Sequence, residues 1–211
     1  MSQDTQQDHI SKKRVVYTMP GVDAVTVRRD EEYRVTDAGA LTMDLYYPPD
    51  AKSGARTPAV IFVTGFSDVG AQRMLGCKLK EMALKCAVLC YGYTLDSDGS
   101  TGVADAARHW GFVTPCAGTS VEDLPRDIPL FVARAGQDQM PGLNETLDRF
   151  LTRALACNLP VTFVNHSTAP HAFDLFHDSE TSREIVRRIL AFLQFHLLHS
   201  AIAIANRSAD Q

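Results

Sequence analysis

The chain reads as a single α/β domain: a mostly parallel sheet with an antiparallel hairpin at its N-terminal end and helices on both faces. Three observations predict this. Segments such as "TPAVIFVTG" carry continuous apolar runs, the pattern of strands buried on both faces of a parallel sheet. Those runs alternate with stretches whose apolar residues recur at helical spacing. The 211 residues, 45% of them hydrophobic, suffice for one substantial core and contain no internal repeat or low-complexity tract.

The elements follow in order. Residues 1–14 are polar and expected to be a disordered leader, and 15–199 form the domain. "AVTVRRDEEYRV" and "LTMDLYYPP" alternate as two strands, joined by the turn "TDAGA" and stopped by Pro48 and Pro49. Val60, Ile61, Phe62 and Val63 make the first buried strand, and Arg73 to Leu84 a helix. "KCAVLCYGY", "DIPLFVARAG" and "LPVTFVNH" are the second, third and fourth buried strands, with Cys86 and Cys90 as small core residues of the second. Between the last two, Leu143, Leu147, Phe150, Leu151, Ala154 and Leu155 share a helical face. The closing helix carries Ile185, Val186, Ile189, Leu190, Phe192 and Leu193, with Thr181 and Glu184 spaced as a capping box. Residues 200–211 are expected to be a flexible tail.

Composition excludes several classes. A net charge of -4 with scattered basic residues leaves no footprint for nucleic acid. Five cysteines, odd in number and without a CxxC, point to a reducing compartment. "MSQDTQQDHISKKR" lacks the apolar run of a signal peptide, and "AIAIA" is far too short to span a bilayer, so a cytoplasmic protein with no membrane partner is expected.

Chemistry is expected in the loops beyond the carboxyl ends of the strands. "VTGFSDVG" follows the first buried strand, "RAGQDQMPG" presents Asp138 after the third, and "NHSTAPHAFD" presents His171 after the fourth. A carboxylate and an imidazole on adjacent strand tips, in that order, form the acid–base part of a hydrolytic triad. The carboxylate would fix the imidazole tautomer while the imidazole takes a proton.

Three stretches resemble the α/β-hydrolase superfamily, in its dienelactone-hydrolase-like branch: "LTMDLYYPPDAKSGARTPAVIFVTGF", "DIPLFVARAGQDQMPGLNETLDRFLTRAL" and "LPVTFVNHSTAPHAFDLF". The resemblance implies a hydrolase of small carboxylic esters or lactones, without cofactor or metal. Asp138 would be the triad acid and His171 the base, with backbone N–H groups at Gly65 and Phe66 supplying half an oxyanion hole. "TGF" stands where the family has HGG.

The family's nucleophile elbow, G-x-S-x-G or a Cys variant, matches no Ser or Cys of the chain. "GFSDVG" is one residue too long, "DGSTG" lacks the first glycine, and "LGCKL", "LKCAV" and "TPCAG" fail outright. The sequence passes from the first crossover helix straight to the strand "KCAVLCYG", around Met82 to Leu84. It therefore resembles a family member whose central segment has been removed, a reduced α/β-hydrolase-like sandwich. Such a sheet is expected to be marginally stable, with self-association left open by uncovered core.

Plainer readings stand beside these. Asp138 is also an ordinary residue after a strand, and His171 an ordinary loop histidine. Ser67, near a strand tip, is a candidate surrogate nucleophile but reads better as a capping or turn serine. Cys116 reads as a loop thiol. His166, His171 and His177 with Asp174 and Asp178 match no zinc spacing. His196 and His199, one helical turn apart near a C-terminus, complement the helix dipole. Gly65 to Gly70 has neither GxGxxG nor GK[ST], which argues against nucleotide binding. Two functions remain: a hydrolase of very low activity, or a non-catalytic remnant that binds a ligand or partner.

Overall fold

A computed structural model describes residues 13–37, 39–50, 59–60, 84–94 and 120–209. Among the described residues the α/β content is mixed and falls into two sheets. Strands β1 (Thr26–Thr36) and β2 (Gly39–Tyr47) pair antiparallel, from Thr26 opposite Tyr47 to Thr36 opposite Gly39. The register slips between Arg28 and Glu31, where Asp30 takes a left-handed φ of 57° and its N–H bonds Asp44 Oδ1 at 3.1 Å. Among the described residues the hairpin is its own two-stranded sheet. The strand expected to continue from it, at Val60 to Val63, lies outside the described residues except for Val60, which is not in a strand. The helix expected at Arg73 to Leu84 also lies outside them, apart from Leu84.

Strands β3 (Ala87–Cys90), β4 (Leu130–Ala135) and β5 (Val161–His166) form the parallel sheet in that order. Leu130 stands opposite both Ala87 and Val161, so the three strand tips finish side by side. Cys86 precedes β3 rather than lying in it, within the usual play of strand ends.

Side-chain alternation divides the core between the sheet's two faces. On one face Val132 packs with Leu147, Phe150, Leu151 and Ala154 of α1 (Leu143–Ala156). On the other, Phe131, Ala133 and Ala135 pack with Phe173 of α2 (Phe173–Phe176) and Ile185 of α3 (Glu180–Ala209). Helices thus cover both faces. Arg134 reinforces this through a two-pronged bond to Asp148 of α1, at 2.8 and 3.1 Å.

Three expectations are corrected. Leu155 is 65% exposed, because it sits about 100° round the helix from the centre of the buried stripe. Thr146 takes a buried place on that stripe instead, its hydroxyl bonded to Leu143 O at 2.8 Å. β5 is not covered on both faces: Thr162, Phe163 and Asn165 are exposed, and among the described residues it is an edge strand of the sheet, as β3 is. The Thr181–Glu184 capping box is absent. α3 starts two residues earlier, with Ser179 Oγ accepting the Ser182 N–H at 3.1 Å, while Glu184 pairs with Arg187 and Arg188.

α3 continues through Ala209, into the segment expected as a tail. Near the other end, Lys13 lies over the Phe176 ring and the Val16 N–H bonds Asp174 O at 2.7 Å. No helix among the described residues is long and apolar enough to cross a membrane.

Candidate active site

The three parallel strand tips bring three short segments together: Tyr91 to Thr94 after β3, Gly136 to Met140 after β4, and Ser167 to His171 after β5. The last two are sewn backbone to backbone. Gly136 N–H bonds His166 O at 2.8 Å, and Gln137 N–H bonds Ala169 O at 2.9 Å. The approach is so close that a Cβ at Gly136 would lie 2.6 Å from Ser167 O. Glycine is therefore required there for space.

This seam places Asp138 beside His171. Asp138 Oδ2 is 2.7 Å from His171 Nδ1, and Oδ1 accepts the Met140 N–H at 2.9 Å. The Asp138 side chain is 0% exposed and that of His171 is 41% exposed. A buried carboxylate with both oxygens engaged is held in one orientation. It accepts the Nδ1 hydrogen and so selects the tautomer whose Nε2 lone pair is free to take a proton. Ala172, next in the chain, adopts a left-handed φ of 55°, and the buried Phe173 ring anchors the turn beneath it.

Tyr91 forms the third wall. Its ring meets the His171 ring edge-to-face at 4.9 Å, and its hydroxyl donates to Asp174 Oδ1 at 2.5 Å. Burial first, then the bond to Asp174, pushes the phenol far above its usual pKa, so it remains the donor. Tyr93 is also pushed up, by burial and then by the charges of Asp138 and Glu145; its hydroxyl donates to Pro141 O at 2.8 Å.

Of the residues expected from sequence, Asp138 and His171 are brought together. Gly65, Phe66, Ser67 and Cys116 lie outside the described residues. Among the described residues no hydroxyl or thiol is hydrogen-bonded to His171, and no three His, Cys, Asp or Glu side chains are grouped to hold a metal ion. His166 and His177 serve another purpose. His166 Nε2 lies 3.1 Å from Ser182 Oγ and 3.3 Å from Ser179 Oγ, and the two imidazoles stack edge-to-face at 5.1 Å over the start of α3.

Sequence reasoning missed Tyr91 and this hydroxyl–imidazole cluster. Their signals were faint: a tyrosine at a strand tip before Gly92, and two serines three residues apart at a helix start. No protein-family model matches the chain, and no curated protein matches it.

Proposed function

We propose that the chain is a reduced α/β-hydrolase-like protein, of the dienelactone-hydrolase-like branch, acting very weakly on small carboxylic esters or lactones through Asp138 and His171. The observation that carries this reading is the 2.7 Å contact between a fully buried carboxylate and a half-open imidazole on neighbouring strand tips. The resemblance of the flanking segments supplies the substrate class.

In this reading His171 Nε2 accepts a proton from water as the oxygen attacks the ester carbonyl. Asp138 stabilises the imidazolium that results. Collapse of the tetrahedral intermediate expels the alcohol, which recovers the proton from His171. No step needs a metal or cofactor.

Magnitude sets the expected rate. Removing a triad's nucleophile lowers kcat by about 2 × 10⁶ in a protease where it has been measured, leaving roughly 10³–10⁴ over water. An elbow's own oxyanion donor accounts for a further ~10²–10³. Activity just above background follows.

The test is hydrolysis of an activated aryl acetate. A small excess over buffer that disappears in His171→Ala supports the proposal; an excess unchanged by that substitution refutes it. The second reading, a non-catalytic remnant binding a ligand or partner, draws on the lack of a hydroxyl or thiol bonded to His171 among the described residues. It predicts no excess at all.

A further inference from the structure

We infer that Tyr91 is a positioning residue that fixes the plane of the His171 imidazole, itself tethered for that purpose by Asp174. The inference rests on the proposed acid–base role of His171 and extends it to a residue outside the pair.

Three observations converge on Tyr91. Its backbone φ is 35°, in the left-handed region that a bulky side chain rarely adopts. The position could have been glycine, and glycine is the very next residue. The strained backbone is secured by the Tyr91 N–H, which extends the β3–β4 ladder to Ala133 O at 2.8 Å. The strain directs the ring sideways across the strand tips rather than along the sheet face.

There the ring is wedged. It meets His171 at 4.9 Å and 69° on one side and Phe173 at 5.4 Å and 75° on the other, both edge-to-face. Its hydroxyl reaches Asp174, in the first turn of α2 and only three residues after His171. Tyr91 is thus bonded to the same turn whose imidazole it supports, closing a loop of contacts from β3 through Asp174 and back to His171.

Asp138 alone cannot set the imidazole plane. A single hydrogen bond at Nδ1 leaves the ring able to turn about that bond, and 41% of the side chain is open to solvent. A second contact on the ring's flank removes that freedom. Core filling alone would explain an aromatic residue here, but not a left-handed backbone together with a hydroxyl bonded to the His171 turn.

The test is nuclear magnetic resonance of the His171 ring in the full chain, read against thermal melting. In the wild type the ring nitrogens should report the Nδ1–H tautomer, with a low-field Nδ1 proton protected from exchange. In Tyr91→Leu, with amide dispersion intact, that proton should exchange at least tenfold faster and the tautomer signature should weaken. A wild-type His171 signal in folded Tyr91→Leu overturns the inference whatever happens to the melting temperature.

Should Tyr91→Leu fail to fold, Tyr91→Phe decides. It keeps the ring but releases it from Asp174, and faster exchange of the Nδ1 proton is expected; unchanged exchange overturns the inference. Asp138→Asn separates this from the underlying reading. If the wild type itself lacks the Nδ1–H signature, or Asp138→Asn leaves it untouched, the acid–base pair fails and the role of Tyr91 fails with it. If that signature is present and sensitive to Asp138→Asn but indifferent to Tyr91, only the Tyr91 inference fails.

Discussion

Gly136→Ala tests how the loops carrying Asp138 and His171 are held together. The added Cβ would stand 2.6 Å from Ser167 O, 2.8 Å from Ser167 Cα and 2.9 Å from Ser167 C. All three are backbone atoms, so no side chain can swing aside. Restoring ordinary van der Waals contact requires the loops to part by about 0.8 Å. The Gly136–His166 and Gln137–Ala169 backbone bonds, now 2.8 and 2.9 Å, would stretch beyond useful length. Two net hydrogen bonds are worth roughly 1–3 kcal/mol, the same range as overpacking a tight site. Against a stability of about 5–15 kcal/mol for an ordinary domain, that loss is readily seen. Urea unfolding of the variant should show a midpoint lowered by the equivalent amount with an unchanged slope. The same separation would draw Asp138 from His171 and abolish the low-field Nδ1 proton. A variant within about 0.5 kcal/mol of wild type, with that proton intact, would mean that the loops are not apposed in this way.

Three further outcomes are expected. Burial, then the nearby His177, lowers the pKa of His166 from its ordinary 6.5, so the unfolded chain binds the proton more readily. Stability is therefore full above about pH 6.5 and declines as pH falls toward the folded value; His166→Gln should flatten that slope, and an unfolding midpoint indifferent to pH between 7.5 and 5 would contradict it. The Cys90 thiol is pushed up to about 12, by burial and then by the charge of Asp174, so at pH 8 its alkylation should run about a thousandfold slower than that of an ordinary thiol. Peptide mapping that finds Cys90 modified as fast as free cysteine would refute its burial. Finally, if the chain is the reduced α/β-hydrolase-like sandwich proposed above, it should melt early or associate, and a sharp two-state transition of a monomer well above ~65 °C would refute that.

The parallel sheet was legible because β3, β4 and β5 are written as short apolar runs, and their tips carry Asp138 and His171. An apolar run does not say whether a helix packs on each face of the strand, which is why β5 read as covered on both faces while Phe163 is exposed. Leu155 shows the one-way nature of burial: apolar residues fill the core, but many also remain outside.

At the start of α3, Ser179–Ser182 and Thr181–Glu184 both carry cap-like spacing. The choice between them is tertiary, since His166 on β5 and His177 before the helix hold Ser182. Tyr91 was beyond the sequence for a similar reason. Its left-handed backbone, its bond to Asp174 83 residues away and its contact with His171 exist only once β3 lies beside β4.

The central claim is that, among the described residues, an oriented carboxylate–imidazole pair stands with no hydroxyl or thiol bonded to the imidazole. Its most direct test is the intact mass of the purified chain after incubation with an active-site-directed phosphonate. The account predicts no covalent adduct in the wild type, under conditions where a complete serine hydrolase is labelled fully. Stoichiometric labelling of one serine or cysteine, abolished by His171→Ala, would contradict it.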